Sequence, residues 1–148
     1  IECVEKLAKR FPDQIVGVKD SSYNLFENLK LENFSILPGS ESKLLKGLEL
    51  GCSGIITATC NITSELAGKV YDDFNEGKKP TMNQKLCDVR SEFEKYNLIS
   101  ALHTCFIKKN LLYKNLLPPL STLNSVQEKE LENNLLSLNF SIKLSFAA

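Results

Sequence analysis

The chain has 148 residues, 43% apolar and 24% charged, with 18 Lys plus Arg set against 18 Asp plus Glu. That is enough for one domain with a real core and of ordinary soluble composition, and zero net charge argues against a nucleic acid or membrane surface held by bulk electrostatics. No apolar run approaches the ~20 residues of a bilayer span and no charged-then-apolar leader opens the chain, so a cytoplasmic location is expected.

The sequence starts at Ile1, inside what reads as an uncapped helix, and its only methionine is Met82. It is therefore expected to be truncated at its N-terminus. Residues 2–11 place Val4, Leu7, Ala8 and Phe11 on one face at helical spacing, and Pro12-Asp13 ends that helix. Ile15 to Val18 is a short apolar run that suits a strand buried on both faces of a parallel sheet. A short helix follows with Leu25, Phe26 and Leu29 apolar. Phe34 to Leu37 reads as a second strand, stopped by Pro38-Gly39. Residues 41–50 read as a helix with Leu44, Leu45 and Leu48 inward and Gly51 at its C-cap.

Gly54 to Thr59 is expected to be a third strand. Thr63 is expected to open a helix carrying Leu66, Val70, Tyr71 and Phe74 to Gly77. Helix and strand thus alternate three times, the strands recurring at roughly 20-residue intervals, as in βαβ units of a parallel sheet. After Pro80 the spacing becomes purely helical. Met82, Leu86, Val89 and Phe93 share one face; Leu98, Leu102, Cys105 and Phe106 share another. Pro118-Pro119 predicts an extended stretch. Ser125 with Glu128 predicts a capping box opening a last helix with Leu131, Leu135 and Leu138 inward. An α/β portion, residues 1–78, therefore precedes a helical region, 79–148.

Chemistry has few places to reside. The cysteines at 3, 52, 60, 87 and 105 form no CxxC pair, so they read as reduced thiols acting as small hydrophobes. His103 sits among apolar neighbours with no carboxylate or cysteine at ligand spacing, which reads as structural. Gly17-Val18-Lys19-Asp20-Ser21-Ser22 is more informative. A lysine at the end of a buried strand would be desolvated, and desolvation yields the neutral amine that attacks a carbonyl. In a parallel barrel, catalysis sits at the C-terminal strand ends. The alternative is a lysine snorkelling outward with Asp20 as its surface partner. Leu37-Pro38-Gly39-Ser40-Glu41 could offer backbone N–H groups to a carboxylate or be an ordinary loop. In Gly51 to Asn61, small residues let backbone approach a ligand, while Asn61 fits turn or cap chemistry.

Taken in order, Ile15 to Ser22, Pro38-Gly39-Ser40-Glu41, and Gly51 to Asn61 with its GxxGIIxxTxN pattern resemble the dihydrodipicolinate synthase/N-acetylneuraminate lyase family. Pro118-Pro119-Leu120 before a closing helix is similar to the end of many members. The resemblance implies the C-terminal part of a (β/α)8 TIM barrel, strands six to eight in about three βα units, followed by a helical region. It implies a carbon-carbon or carbon-oxygen lyase that acts on pyruvate or a related 2-keto acid through a lysine Schiff base. Lys19 matches the Schiff-base lysine; Gly39 and Ser40 match a loop lining the substrate site; Ile56 matches the residue whose main chain borders that lysine. No metal or organic cofactor is expected, and the full-length protein is expected to be a homo-dimer or tetramer.

The departures carry expectations too. Family barrels run to roughly 250 residues or more, so the first five strands are expected to be missing, with the carboxylate-binding loop and proton-relay tyrosine they carry. Tyr23 stands where a glycine is common after the KDSS stretch. Three strands alone leave open edges, so the fragment by itself is expected to aggregate or oligomerise and to be inactive. The alternative is a non-catalytic half-barrel kept for interaction or assembly.

Overall fold

Residues 1–108 and 115–142 are described in a computed structural model of the chain. Helix α1 spans Glu2–Arg10, with Glu2 and Glu5 in its first turn and Lys9 and Arg10 in its last, the arrangement that suits the helix dipole. It buries no residue. Of its expected apolar face, Leu7 and Phe11 stay 42% and 41% exposed.

Strand β1 (Gly17–Asp20) pairs in parallel with β2 (Ser35–Pro38), Lys19 lying opposite Leu37 and Asp20 opposite Pro38. Both strands start later than Ile15 and Phe34. Gly17 is required by the close approach: a Cβ there would sit 2.7 Å from the Ser35 carbonyl oxygen. The expectation of a strand buried on both faces fails. Val16 is 58% exposed, Val18 only half-buried, and among the described residues β1 has a neighbour on one edge only.

Between the strands, α2 spans Leu25–Asn28. After β2, the single helix expected over 41–50 divides into a 3-10 turn, Glu41–Lys43, and α3, Leu44–Glu49. Leu44 and Leu48 are buried, Leu45 partly, and Gly51 closes the helix at φ +88°. The third strand does not form. Residues 52–57 run beside β2, but only Ser53 N–H to Ile36 O (3.3 Å) and Ile56 N–H to Pro38 O (3.1 Å) join them. Gly54, at φ +143°, turns the chain out of the even spacing a parallel ladder needs.

Helix α4 (Cys60–Asn75) begins three residues before Thr63, leaves Tyr71 39% exposed and buries Asp73. The Asp73 carboxylate meets Lys69 at 2.6 Å. Helices α5 (Asn83–Glu94), α6 (Leu98–Lys108) and α7 (Ser125–Ser137) follow. Met82 falls just outside α5 and is 38% exposed. The segment expected to be extended turns at Pro118-Pro119, where Leu120 N–H meets Leu117 O at 3.1 Å. The cap of α7 lies one residue earlier than Ser125: Asn124 Oδ1 accepts the N–H groups of Val126 and Gln127, and Gln127 Oε1 accepts Asn124 N–H. Asn serves as well as Ser there.

Ile62, Val89, Phe93, Ala101, Leu102, Leu131 and Leu135 make one core among α4–α7. A second cluster joins Leu44 and Leu48 of α3 to Val70 and Leu86. Phe26, Leu29 and Ile36 form a third, under β1 and β2. Residues 109–114 and 143–148, within the expected helical region, lie outside the described residues.

Candidate active site at the strand ends

Lys19 is the third residue of β1, and its side chain is exposed. Its Nζ donates to Ser21 Oγ at 2.8 Å. The described residues therefore leave the amine in solvent and do not supply the desolvation a buried strand end would give.

Asp20 is not its partner. The Asp20 side chain is buried: Oδ1 accepts Ser22 N–H (3.0 Å) and Ser22 Oγ–H (2.7 Å), while Oδ2 accepts Leu25 N–H (2.9 Å) and Phe26 N–H (3.1 Å). Burial pushes this carboxyl upward, but the hydrogen bonds from Ser22, Phe26 and Leu25 outweigh it, and the group titrates below its ordinary value. A carboxylate beside α2 satisfies N–H groups that no helix turn can reach. Asp20 thus shapes the loop that presents Lys19 and Ser21. Tyr23, in that loop, takes φ +57°, the region a glycine enters freely. The loop keeps the shape that a glycine would favour.

Gly39 meets this loop from β2. Its N–H donates to Asp20 O at 2.9 Å, so that group is taken and does not face an anion. A Cβ at Gly39 would lie 3.1 Å from Ser21 Oγ, the hydroxyl that holds Lys19. Ser40 is buried, its Oγ 3.0 Å from Ser42 Oγ. Ile56 is 49% exposed, and its N–H is bound to Pro38 O. The strand ends thus bring Lys19, Ser21 and Gly39 together, with Ile56 against the end of β2. The Ser40 hydroxyl is paired with Ser42 and not with Lys19.

Behind these loops lies a polar cluster that carries no motif in the sequence. Glu41 is fully buried and accepts from Thr57, Thr59, Thr63 and Arg90. The available signal was Arg90 itself, a charge on the α5 face otherwise made of Leu86, Val89 and Phe93. Among the described residues, no group of three or more His, Cys, Asp or Glu is placed to hold a metal ion, and no helix is long and apolar enough to cross a membrane.

A family model described as the Dihydrodipicolinate synthetase family matches residues 1–138. The chain is 32% identical over 153 residues to a 4-hydroxy-tetrahydrodipicolinate synthase of Methanococcoides burtonii, covering 93% of this chain and 50% of that protein. It is 28% identical over 127 residues to a 2-dehydro-3-deoxy-D-gluconate/2-dehydro-3-deoxy-phosphogluconate aldolase of Picrophilus torridus, covering 80% and 47%. The crystal structure of DHDPS from Cyanidioschyzon merolae with lysine bound matches at TM-score 0.81 and 17% identity, covering 95% of this chain and 50% of that one. The chain spans about half the length of the relatives it matches. At that identity the structural likeness shows the fold alone: an α/β, mostly helical chain corresponding to half of such a barrel.

Proposed function

The chain belongs to the dihydrodipicolinate synthetase family, and we propose that Lys19 is the amine through which the whole protein condenses with pyruvate or a related 2-keto acid. Residues 1–78 then supply the last part of a barrel, with β1 and β2 as two of its strands and residues 52–57 beside them, and residues 79–148 the helical region after it, in a cytoplasmic homo-dimer or tetramer. The reaction class is lyase, of the aldolase or synthase kind. The names of the similar proteins support it, since 2-dehydro-3-deoxy-D-gluconate is itself a 2-keto acid.

The observation that carries the reading is the placing of Lys19. Its amine stands at the carboxyl end of a parallel strand pair, held 2.8 Å from Ser21 Oγ and accessible. In the proposed chemistry the ammonium first loses a proton. The neutral amine adds to the keto carbon, and the carbinolamine loses water to give an imine. The imine nitrogen then takes up the electron pair released when a bond at the neighbouring carbon breaks, or stabilises the carbanion that forms one. Ser21 accepts a hydrogen bond from Nζ and so aims it. Gly39, Ser40 and Ile56 border the site through backbone, Gly39 because a side chain there would crowd Ser21. Proton transfer and carboxylate binding are assigned to no residue of this chain.

The test is chemical trapping. Pyruvate with borohydride should leave a stable adduct on the Lys19 peptide of the whole protein, and Lys19→Arg should abolish it. A wild-type protein whose Lys19 peptide stays unmodified under saturating pyruvate would sink the proposal.

A further inference from the structure

Two segments assigned to the proposed site, one bound to Asp20 O through Gly39 N–H and one to Pro38 O through Ile56 N–H, end in the same buried cluster. Gly39 and Ser40 are followed at once by Glu41, and Ile56 by Thr57. Glu41 Oε2 accepts Thr57 Oγ1–H at 2.9 Å, and Oε1 accepts the hydroxyls of Thr59 and Thr63. From α5, Arg90 Nη1 donates to Glu41 Oε2 (3.1 Å) and to the hydroxyl oxygens of Thr57 and Thr59 (2.9 Å each), while Nε holds Glu94 at 2.7 Å. The two threonine hydroxyls, themselves 3.0 Å apart, thus lie within hydrogen-bond reach of both the carboxylate and the guanidinium. The cluster thereby ties the two segments to each other.

Stability is a weak reason for such an arrangement. Removing an ion pair from water costs much of what the pair returns, and apolar residues of similar volume often do as well. What apolar residues would not supply is direction. Arg90 is 7% exposed and Glu41 fully buried, so their hydrogen bonds act in a medium that strengthens them and punishes any unpaired member.

We infer that Arg90, reaching from the helical region, is a positioning residue that fixes the distance between the 39–41 turn and the 56–59 segment and thereby sets affinity for the keto acid. It touches no reacting atom, and the inference rests on the reading of Lys19 as the nucleophile. The helical region then acts on the site through the Arg90 hydrogen bonds, with Leu86 of the same helix packed beside them.

The experiment uses the whole protein and reads borohydride trapping at Lys19 against pyruvate concentration, alongside the melting temperature. Wild type comes first: absence of an adduct removes the Lys19 reading and this inference with it. Given an adduct, Thr57→Val, which keeps the volume and deletes one hydroxyl, should raise the half-saturating pyruvate concentration about tenfold. The trapping rate at saturation should stay within about twofold. Thr57→Ser should restore the wild-type value, and Arg90→Lys should shift it in the same sense as Thr57→Val. Unchanged half-saturation in Thr57→Val, whether or not the protein melts lower, overturns the inference and leaves the Lys19 reading intact. So does a lower saturating rate at unchanged half-saturation.

Discussion

Lys19, at the end of an apolar run, and Arg90, on an apolar helix face, are both cations, and the molecule treats them in opposite ways. Lys19 is left in solvent with one hydroxyl beside it. Arg90 is buried and given a carboxylate and two hydroxyls on one nitrogen and Glu94 on another. Their surroundings follow suit. Ahead of Lys19 in the chain α1 buries nothing, and among the described residues β1 has one strand neighbour; around Arg90, Leu86, Val89 and Phe93 are sealed completely. The difference separates two tasks. On the proposed reading, the group that meets the substrate is accessible in this half-length chain, and the helices behind it bury their own core.

That contrast is broken or sharpened most strongly by truncating one side chain from each region. Phe93→Ala empties a fully buried site in the α4–α7 core and should cost about 3–5 kcal/mol. Leu7→Ala, on the exposed face of α1, should cost less than about 1 kcal/mol. Urea unfolding of both variants measures the gap. Equal losses would mean that α1 is as well seated as α5, and the division into a loose and a tight region would fall.

A smaller effect is expected inside the loose region, at its one buried charge. Asp20→Asn keeps the shape but weakens four hydrogen bonds to Ser22, Leu25 and Phe26, and should cost about 1–3 kcal/mol near neutral pH. The sign with pH follows from the shift. The folded-state value lies below the ordinary 3.8, so the Asp20 contribution is fully present above 3.8 and is lost as pH falls through the lower folded value. The stability gap between wild type and Asp20→Asn should therefore close in strong acid. A gap that stays constant through the acid range would remove the carboxylate from the account of this loop.

These residues also mark where the sequence was legible. Periodicity identifies faces, and α5 to α7 have clear ones, so Leu86, Val89, Phe93, Leu102, Leu131 and Leu135 are readable as core. Three short segments in order were enough for the fold family and for a lysine at a strand end. The third strand was not readable, because one residue, Gly54 at φ +143°, undoes an otherwise β-branched run. The role of Asp20 was not readable for a different reason. A carboxylate next to a lysine looks like its partner until the folded chain brings four donors to it. The Glu41–Arg90 pair joins residues 49 positions apart, and no local spacing encodes that. The α7 cap slipped by a single residue because Asn124-Gln127 and Ser125-Glu128 satisfy the same chemical rule.

The finest probe of the contrast is thiol chemistry, which reads accessibility with little effect on stability. Cys3 lies exposed on α1. Cys60 opens α4, where a helix N-terminus would ordinarily favour a thiolate. Burial, helped by the negative charge of Glu41, wins instead and pushes its thiol up to about 11. At pH 8 only about one part in a thousand of Cys60 would then be thiolate, the form that reacts. Iodoacetamide should therefore label Cys3 to completion while the Cys60 peptide stays unmodified, as read by peptide mapping over time. Addition of urea should expose Cys60 together with the unfolding of the α4–α7 core. Labelling of Cys60 well before that transition would show the junction between the 56–59 segment and α4 opening on its own, and a junction that opens could not hold the two loops at a fixed distance.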